Sequence, residues 1–303
     1  MSGRGHPLTA PGRRSELLMT LPSLAWLTVF LLLPTLMMFA IAFRPADPYG
    51  GIGDGWTLET LIRMASPNYP GIIWRTLWLS VVATAFCLTL SIPVAYCLAR
   101  ISERWRQWIM LGVVVPFWTN FLIRVLAWKS ILHVNGSFRG FLVWIGVVGE
   151  DQPILYTSGA ILLVMIYTHL PFAILPLYAA AEKFDFSLLE AARDLGSSSF
   201  GAFARIFLPG ISRGLITAGI MVLVPCLGSY VIPELVGGAS SEMIGNKIAQ
   251  YVFTERNLPR ASALSAILTV VVVALLLAFL YWNHRRGRTR DEPESTGKEG
   301  MFS

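Results

Sequence analysis

Glu234 stands out because the long apolar runs of this 303-residue chain hold almost no other carboxylate. An ionisable side chain in or beside a bilayer costs about 3 kcal/mol and is a functional candidate by default. With Tyr230 one helical turn earlier, it offers a negative charge and an aromatic face. A small organic cation needs both when it sheds water. Trp118, Asn120, Arg124 and Trp128 alternate aromatic and polar groups in another apolar run, where Asn120, Arg124 and, less closely, Trp128 share a helical face. Plainer readings stand beside this one. Glu234 could pair with Arg124 or Lys129, or snorkel to the interface, and Trp128 could belong to an interfacial aromatic belt. Arg124 and Lys129 would repel a cation, so on its path they must be neutralised or act as a gate.

A second group has mechanical rather than bond-making chemistry. The stretch LEAARDLGSSSFGAFARIFLPG (189–210) lies between two bilayer-length apolar blocks, yet it is charged and broken by glycine. Ser187 and Glu190 have capping-box spacing, which starts a helix at Leu188, and Gly196 supplies the left-handed residue that ends it. About two turns of helix are marginal alone and need something to pack on. Leu188, Leu189, Ala191, Ala192 and Leu195, with Asp194 among them, spread apolar surface around much of that helix, more than one contact with its own membrane domain requires. Ser197 to Ser199 can cap a second turn carrying Phe200 and Phe203, and Leu208-Pro209 suits the opening turn of the helix that follows. The residues alone leave two readings open: an amphipathic loop lying on the membrane, or a helix, hinge and helix made for a partner.

The elements that must hold these groups follow from composition. Hydrophobic residues make up 54% and charged residues 14%, with the apolar ones in runs near the length that crosses about 30 Å of hydrocarbon. The chain reads as an all-α polytopic membrane protein with about six transmembrane helices, near 19–43, 72–99, 107–132, 154–180, 211–235 and 262–283. A cytoplasmic arm (1–18) precedes a membrane domain (19–283) that contains the loop at about 182–209, and a polar tail (284–303) follows. Fifteen lysines and arginines fall on the side of the arm, the 189–210 loop and the tail. Seven fall on the other, and two (Arg124 and Lys129) lie inside the third span. The positive-inside rule therefore puts that loop and both termini in the cytoplasm. The net charge of +6 is then arginine facing anionic lipid and calls for no nucleic acid. Cys87, Cys97 and Cys226 lie within the apolar runs and read as small apolar side chains, neither a disulfide framework nor metal ligands.

Glu190-Ala191-Ala192, Gly196, Ile206 and Leu208-Pro209 resemble the EAA loop of ABC-type import permeases at every defining position. VPFWTNFLIR (115–124), LHVNGSFRGFLVWIG (132–146), SYVIPELVGG (229–238) and MIGNKIAQYVF (243–253) resemble the spermidine/putrescine permease family over most of the chain. The resemblance implies a type I ABC importer permease arrangement in a bacterial inner membrane. It also implies two cytoplasmic ATP-binding subunits carrying ATP and magnesium, a second permease subunit and a periplasmic polyamine-binding protein. The helix at 188–195 would then dock in a groove of the ATPase, with Glu190 facing a basic residue; capping through Ser187 is compatible with that role.

No Gly-x-x-x-x-Gly-Lys-Ser/Thr occurs, so the sequence offers no phosphate cradle, and no cofactor is expected on this chain. Two rival readings are an intramembrane serine protease pairing Ser229 with His169, and an ion-coupled transporter kinked at Pro93, Pro116, Pro171, Pro176 and Pro225. LGSY around Ser229 lacks a Gly-x-Ser-Gly context, and the halves show no self-similarity of the kind secondary transporters carry. An ABC permease for another small organic solute is the nearer alternative.

Overall fold

The computed structural model describes residues 13–47, 50–64, 68–146, 149 and 152–288. Most of the expected N-terminal arm and the tail beyond 288 lie outside them. Among the described residues the regular secondary structure is helical apart from one isolated bridge between Ala46 and Ile52. The helices run in order as α1 (Arg13–Ala42), α2 (Glu59–Arg63), α3 (Asn68–Arg100), α4 (Glu103–Trp118), α5 (Phe121–Leu132), α6 (Ser137–Trp144) and α7 (Ser158–Glu182). They continue as α8 (Ser187–Asp194), α9 (Ser199–Ala202), α10 (Leu208–Gly210), α11 (Ser212–Leu227), α12 (Val231–Val236), α13 (Ile244–Phe253) and α14 (Leu258–Arg288).

Four stretches within α1, α3, α7 and α14 are long and apolar enough to cross a bilayer, and two bent helix pairs raise the number among the described residues to six. The bends correct the simpler expectation. The third span, expected unbroken over 107–132, is α4 and α5 meeting at 94°. Thr119 is extended at the corner (φ −81°, ψ 146°) and its hydroxyl donates to Pro116 O at 2.6 Å, while Asn120 Oδ1 restarts the helix by accepting Leu122 N–H at 2.8 Å. The fifth, expected over 211–235, stops at Leu227; Gly228 to Tyr230 are not helical, and α12 is a separate short helix. Pro233 falls in the first turn of α12, where a missing N–H costs nothing. Pro93, Pro171 and Pro176 sit inside helices that continue through them.

Lipid is as apolar as leucine, so helix association in a membrane relies on small residues that let backbones approach. The main bundle of α3, α7 and α11 follows that rule. Ala83, Cys87, Ala160, Ala173, Ala181, Ala218 and Cys226 are buried in it, and a Cβ on Gly214 of α11 would collide with Ala180 of α7. Buried hydroxyls bond back along their own helices: Thr76 to Ile72 O at 2.8 Å, Thr84 to Ser80 O at 2.7 Å and Thr168 to Val164 O at 2.7 Å. A second core joins α1 and α14 with α2 and α13 through Ala42, Met64, Ile244, Tyr251, Ala263 and Leu264.

Candidate coupling loop and membrane path

Helix α8 is fixed at both ends, though not by the expected cap. Asp185 Oδ1 accepts the Ser187 N–H at 3.0 Å. Hydrogen bonding from the Ser187 hydroxyl and backbone N–H holds the Asp185 carboxyl below the usual range. The Ser187–Glu190 capping box does not form: the helix starts one residue earlier, Ser187 is its first residue, and Glu190 is left exposed without an ion pair among the described residues. At the far end Gly196 has φ +89°. Its N–H reaches Arg193 O and the Ser197 N–H reaches Ala192 O, both at 2.9 Å. This doubled closure is the Schellman motif, which requires a residue free to be left-handed.

The serine run caps as expected, with Ser198 Oγ accepting Gly201 N–H at 3.0 Å. α9 then passes through one π-helical turn, Phe203–Phe207, into α10. This arm meets α11 at 69°.

The loop has two faces. Inward, Leu189, Ala202 and Phe207 are buried within a set of aromatic rings. Tyr96 of α3 meets Phe186, Phe203 and Phe207 at centroid distances of 5.9, 5.3 and 5.1 Å, and Phe184 meets Phe186 and Phe207 at 5.4 and 5.2 Å. Arg100 donates to the Tyr96 hydroxyl at 2.6 Å and lies over the Phe186 ring at 5.7 Å. Arg106 of α4 lies 3.5 Å from Glu182 at the end of α7, which also accepts the Tyr178 hydroxyl at 2.6 Å. Outward, Leu188 is 51%, Leu195 90% and Phe200 80% exposed, and Ala191 and Asp194 are exposed with them. Ala192 is half-buried between the faces, and Leu208 and Pro209 sit in α10 behind the π turn.

In the membrane path, α12 packs on α5, which brings the elements carrying Glu234 and Tyr230 beside those carrying Asn120, Arg124 and Trp128. Glu234 is exposed, its N–H bonded to Tyr230 O at 3.0 Å; it makes no ion pair with Arg124 or Lys129. Arg124 lies over the Phe117 ring at 5.1 Å, with Nε buried and unbonded among the described residues. Trp128 is half-buried, edge-on to Tyr167 at 5.3 Å and to Phe138 at 6.4 Å. Trp118 does not share this face: it ends α4 beyond the 94° corner and is 80% exposed. His169 Nδ1 is 2.8 Å from its own helix at Met165 O and has no bond to Ser229.

The sequence pattern points to Phe203 but not to Tyr96, Arg100, Phe184, Phe186 or Phe207. The density of Phe184, Phe186, Phe200, Phe203 and Phe207 in so short a polar loop was the available signal.

Residues 88–289 match the family described as binding-protein-dependent transport system inner membrane component. The chain belongs to that family. Members are permease subunits of ABC importers, transport components that work with ATPase and binding-protein partners rather than enzymes. This membership sets aside the protease and ion-coupled readings. The permease is 38% identical over 258 residues to the spermidine/putrescine transport system permease protein PotB of Haemophilus influenzae, covering 85% of this chain and 90% of that one. It is 36% identical over 261 residues to PotB of Escherichia coli (86% and 94% covered), and 31% identical over 238 residues to the inner membrane ABC transporter permease protein YdcU of Escherichia coli (74% and 75%). A bacterial ABC transporter involved in the import of the acidic polysaccharide alginate shares the fold, with TM-score 0.68 at 21% identity over 90% of this chain and 96% of that one.

Proposed function

We propose that this permease serves an ATP-driven importer of polyamines, putrescine or spermidine, and that α8 docks on a cytoplasmic ATPase subunit that carries the ATP and magnesium. The observation that carries the docking reading is the two-faced loop. Its inner side is packed into the bundle, while Leu188, Leu195 and Phe200 present apolar surface outward; Glu190, exposed and without an ion pair at the edge of the cleft it shares with Arg100 and Arg193, suits a basic partner residue. The bias of lysine and arginine toward this face supports a cytoplasmic loop and cytoplasmic termini. A second permease subunit and a periplasmic polyamine-binding protein complete the assembly.

The polyamine reading draws support from relatives that carry the name spermidine/putrescine permease at 36% and 38% identity, and from the path. Glu234, free of any internal cation, can offset the lost hydration of an ammonium group, and Tyr230, 49% exposed beside it, offers a ring face. Asn120 caps α5 through its side-chain oxygen and keeps its two amide N–H donors for the path. Arg124, held on Phe117, acts as the repulsive element of a gate. The test is labelled putrescine uptake into proteoliposomes holding the permease pair, the ATPase and the binding protein. ATP-dependent accumulation is expected; equal accumulation without nucleotide would overturn the proposal.

A further inference from the structure

The loop is joined through the chain to α7 and α11, and docking would move those two directly. α3 is far away in sequence, yet one of its residues, Tyr96, meets three of the loop's aromatic rings. Tyr96 touches the residue just before α8 (Phe186) and both ends of the π turn (Phe203 and Phe207), with centroids 5.1 to 5.9 Å apart. The π turn stacks Phe203 on Phe207 at 5.2 Å and 25°, so that both present edges to the one tyrosine. Arg100, one turn on, ties the Tyr96 hydroxyl and covers Phe186. Phe207 is fully buried, and a Cβ on Gly210 would strike the Phe184 ring, so the Phe184–Phe207 side of the joint is close-packed, while the Arg100–Glu190 side opens into a cleft of about 30 Å³. Close-packed side chains transmit displacement rather than absorb it.

α3 is one uninterrupted helix of 33 residues, roughly 50 Å long, and its other end is fastened as firmly. Thr76 Oγ1 accepts the first N–H of α13, from Ile244, at 2.9 Å. Arg75 donates to Glu242 O at 3.3 Å, and the Tyr69 and Tyr251 hydroxyls meet at 2.5 Å. Gly51 N–H bonds to Arg256 O at 2.9 Å, so the α1–α2 loop is fixed to the same region through the turn after α13.

We infer that α3 is a rod linking the docking loop to α13 on the opposite face, and that Tyr96 is the positioning residue at its driven end. The rod rests on the docking reading, but it adds an output that covalent connection does not provide. Movement of α8 reaches the far mouth of the permease through α3 as well as through α11.

The test uses the complete reconstituted complex. One spin label is placed on Cys97, the exposed native thiol beside Tyr96 on α3, and the other on Arg193→Cys in α8, exposed and outside the outward crest. In the unaltered joint the distance between labels stays the same with and without ATP; in Tyr96→Leu it broadens and becomes nucleotide-dependent. Solute moved per ATP hydrolysed falls about tenfold in Tyr96→Leu, which lacks all three edge-on ring contacts. It stays within about twofold in Tyr96→Phe, which keeps the ring, and Thr76→Val at the far end lowers the same ratio. Phe203→Leu serves if Tyr96→Leu does not reach the membrane. A label distance that changes with nucleotide in the unaltered joint, or an undiminished transport ratio in Tyr96→Leu, would overturn the rod. Failure of the docking reading shows differently: the ATPase would then still co-purify and drive uptake when the outward crest carries Leu195→Asp.

Discussion

Gly196→Asp isolates the conformational demand at the end of α8. A Cβ at this position meets nothing within 4 Å, so the substitution creates no collision. Its cost comes from φ +89°, a region that charges an L-residue about 1 to 2 kcal/mol. A new carboxylate at the negative end of a helix adds about 0.3 to 1 kcal/mol. The sum, about 1.3 to 3 kcal/mol, lowers the closed-to-open ratio at the α8 end by roughly 10- to 150-fold. Gly196→Ala carries only the φ term and falls by roughly 5- to 30-fold. The assay is ATP-dependent putrescine uptake at matched membrane abundance, with ATPase co-purification measured in parallel. Both should fall together in the order Gly, Ala, Asp, while the amount inserted stays constant. Full uptake by Gly196→Asp at normal abundance would refute the argument that this left-handed residue shapes the docking surface.

Leu195→Asp should leave membrane abundance and thermal stability of the permease unchanged, because the side chain is 90% exposed, while ATPase co-purification is lost; retention of the ATPase would count against an apolar docking crest. Glu234→Gln should lower uptake about tenfold or more with assembly intact, as removal of a charge facing a cation does, and Glu234→Asp should retain part of the rate; initial-rate kinetics at several putrescine concentrations decide it. Gly214→Leu should cost about 1 to 3 kcal/mol or more by overpacking where α11 rides on Ala180, read as reduced abundance and an earlier thermal transition in detergent. The Asp185 carboxyl, depressed below 3.8 by its bonds from Ser187, contributes to α8 at every pH above its unfolded value and loses that contribution only as pH falls through the lower folded value. Uptake between pH 5 and 8 should therefore be insensitive to this cap, whereas Asp185→Ala should loosen α8 at all of these values, as hydrogen exchange of the Ser187 amide would report.

The membrane spans and the loop were legible because bilayer solvation imposes long apolar runs, and because Gly196 and the serine run have few other uses at a helix end. The corner at Thr119-Asn120 was hidden: an asparagine capping a restarted helix and an asparagine facing a path look alike in a linear string. The α8 cap shifted because Asp185, two residues ahead of Ser187, competes for the same N–H and leaves Glu190 free for another partner. Glu234 was legible as an isolated carboxylate, but its lack of an ion pair depends on how α12 sits on α5. Tyr96 was illegible as part of the loop because its ring partners Phe186, Phe203 and Phe207 lie about 90 to 110 residues downstream, and only packing brings them together.

The central claim is that a separate motor grips the outward face of α8 from the cytoplasm. A photo-crosslinking amino acid at Leu195, activated in intact native membranes, tests it most directly. The account predicts a covalent adduct with the ATP-binding subunit. An adduct confined to lipid, or labelling of this position by a membrane-impermeant reagent added outside the cell, would contradict it.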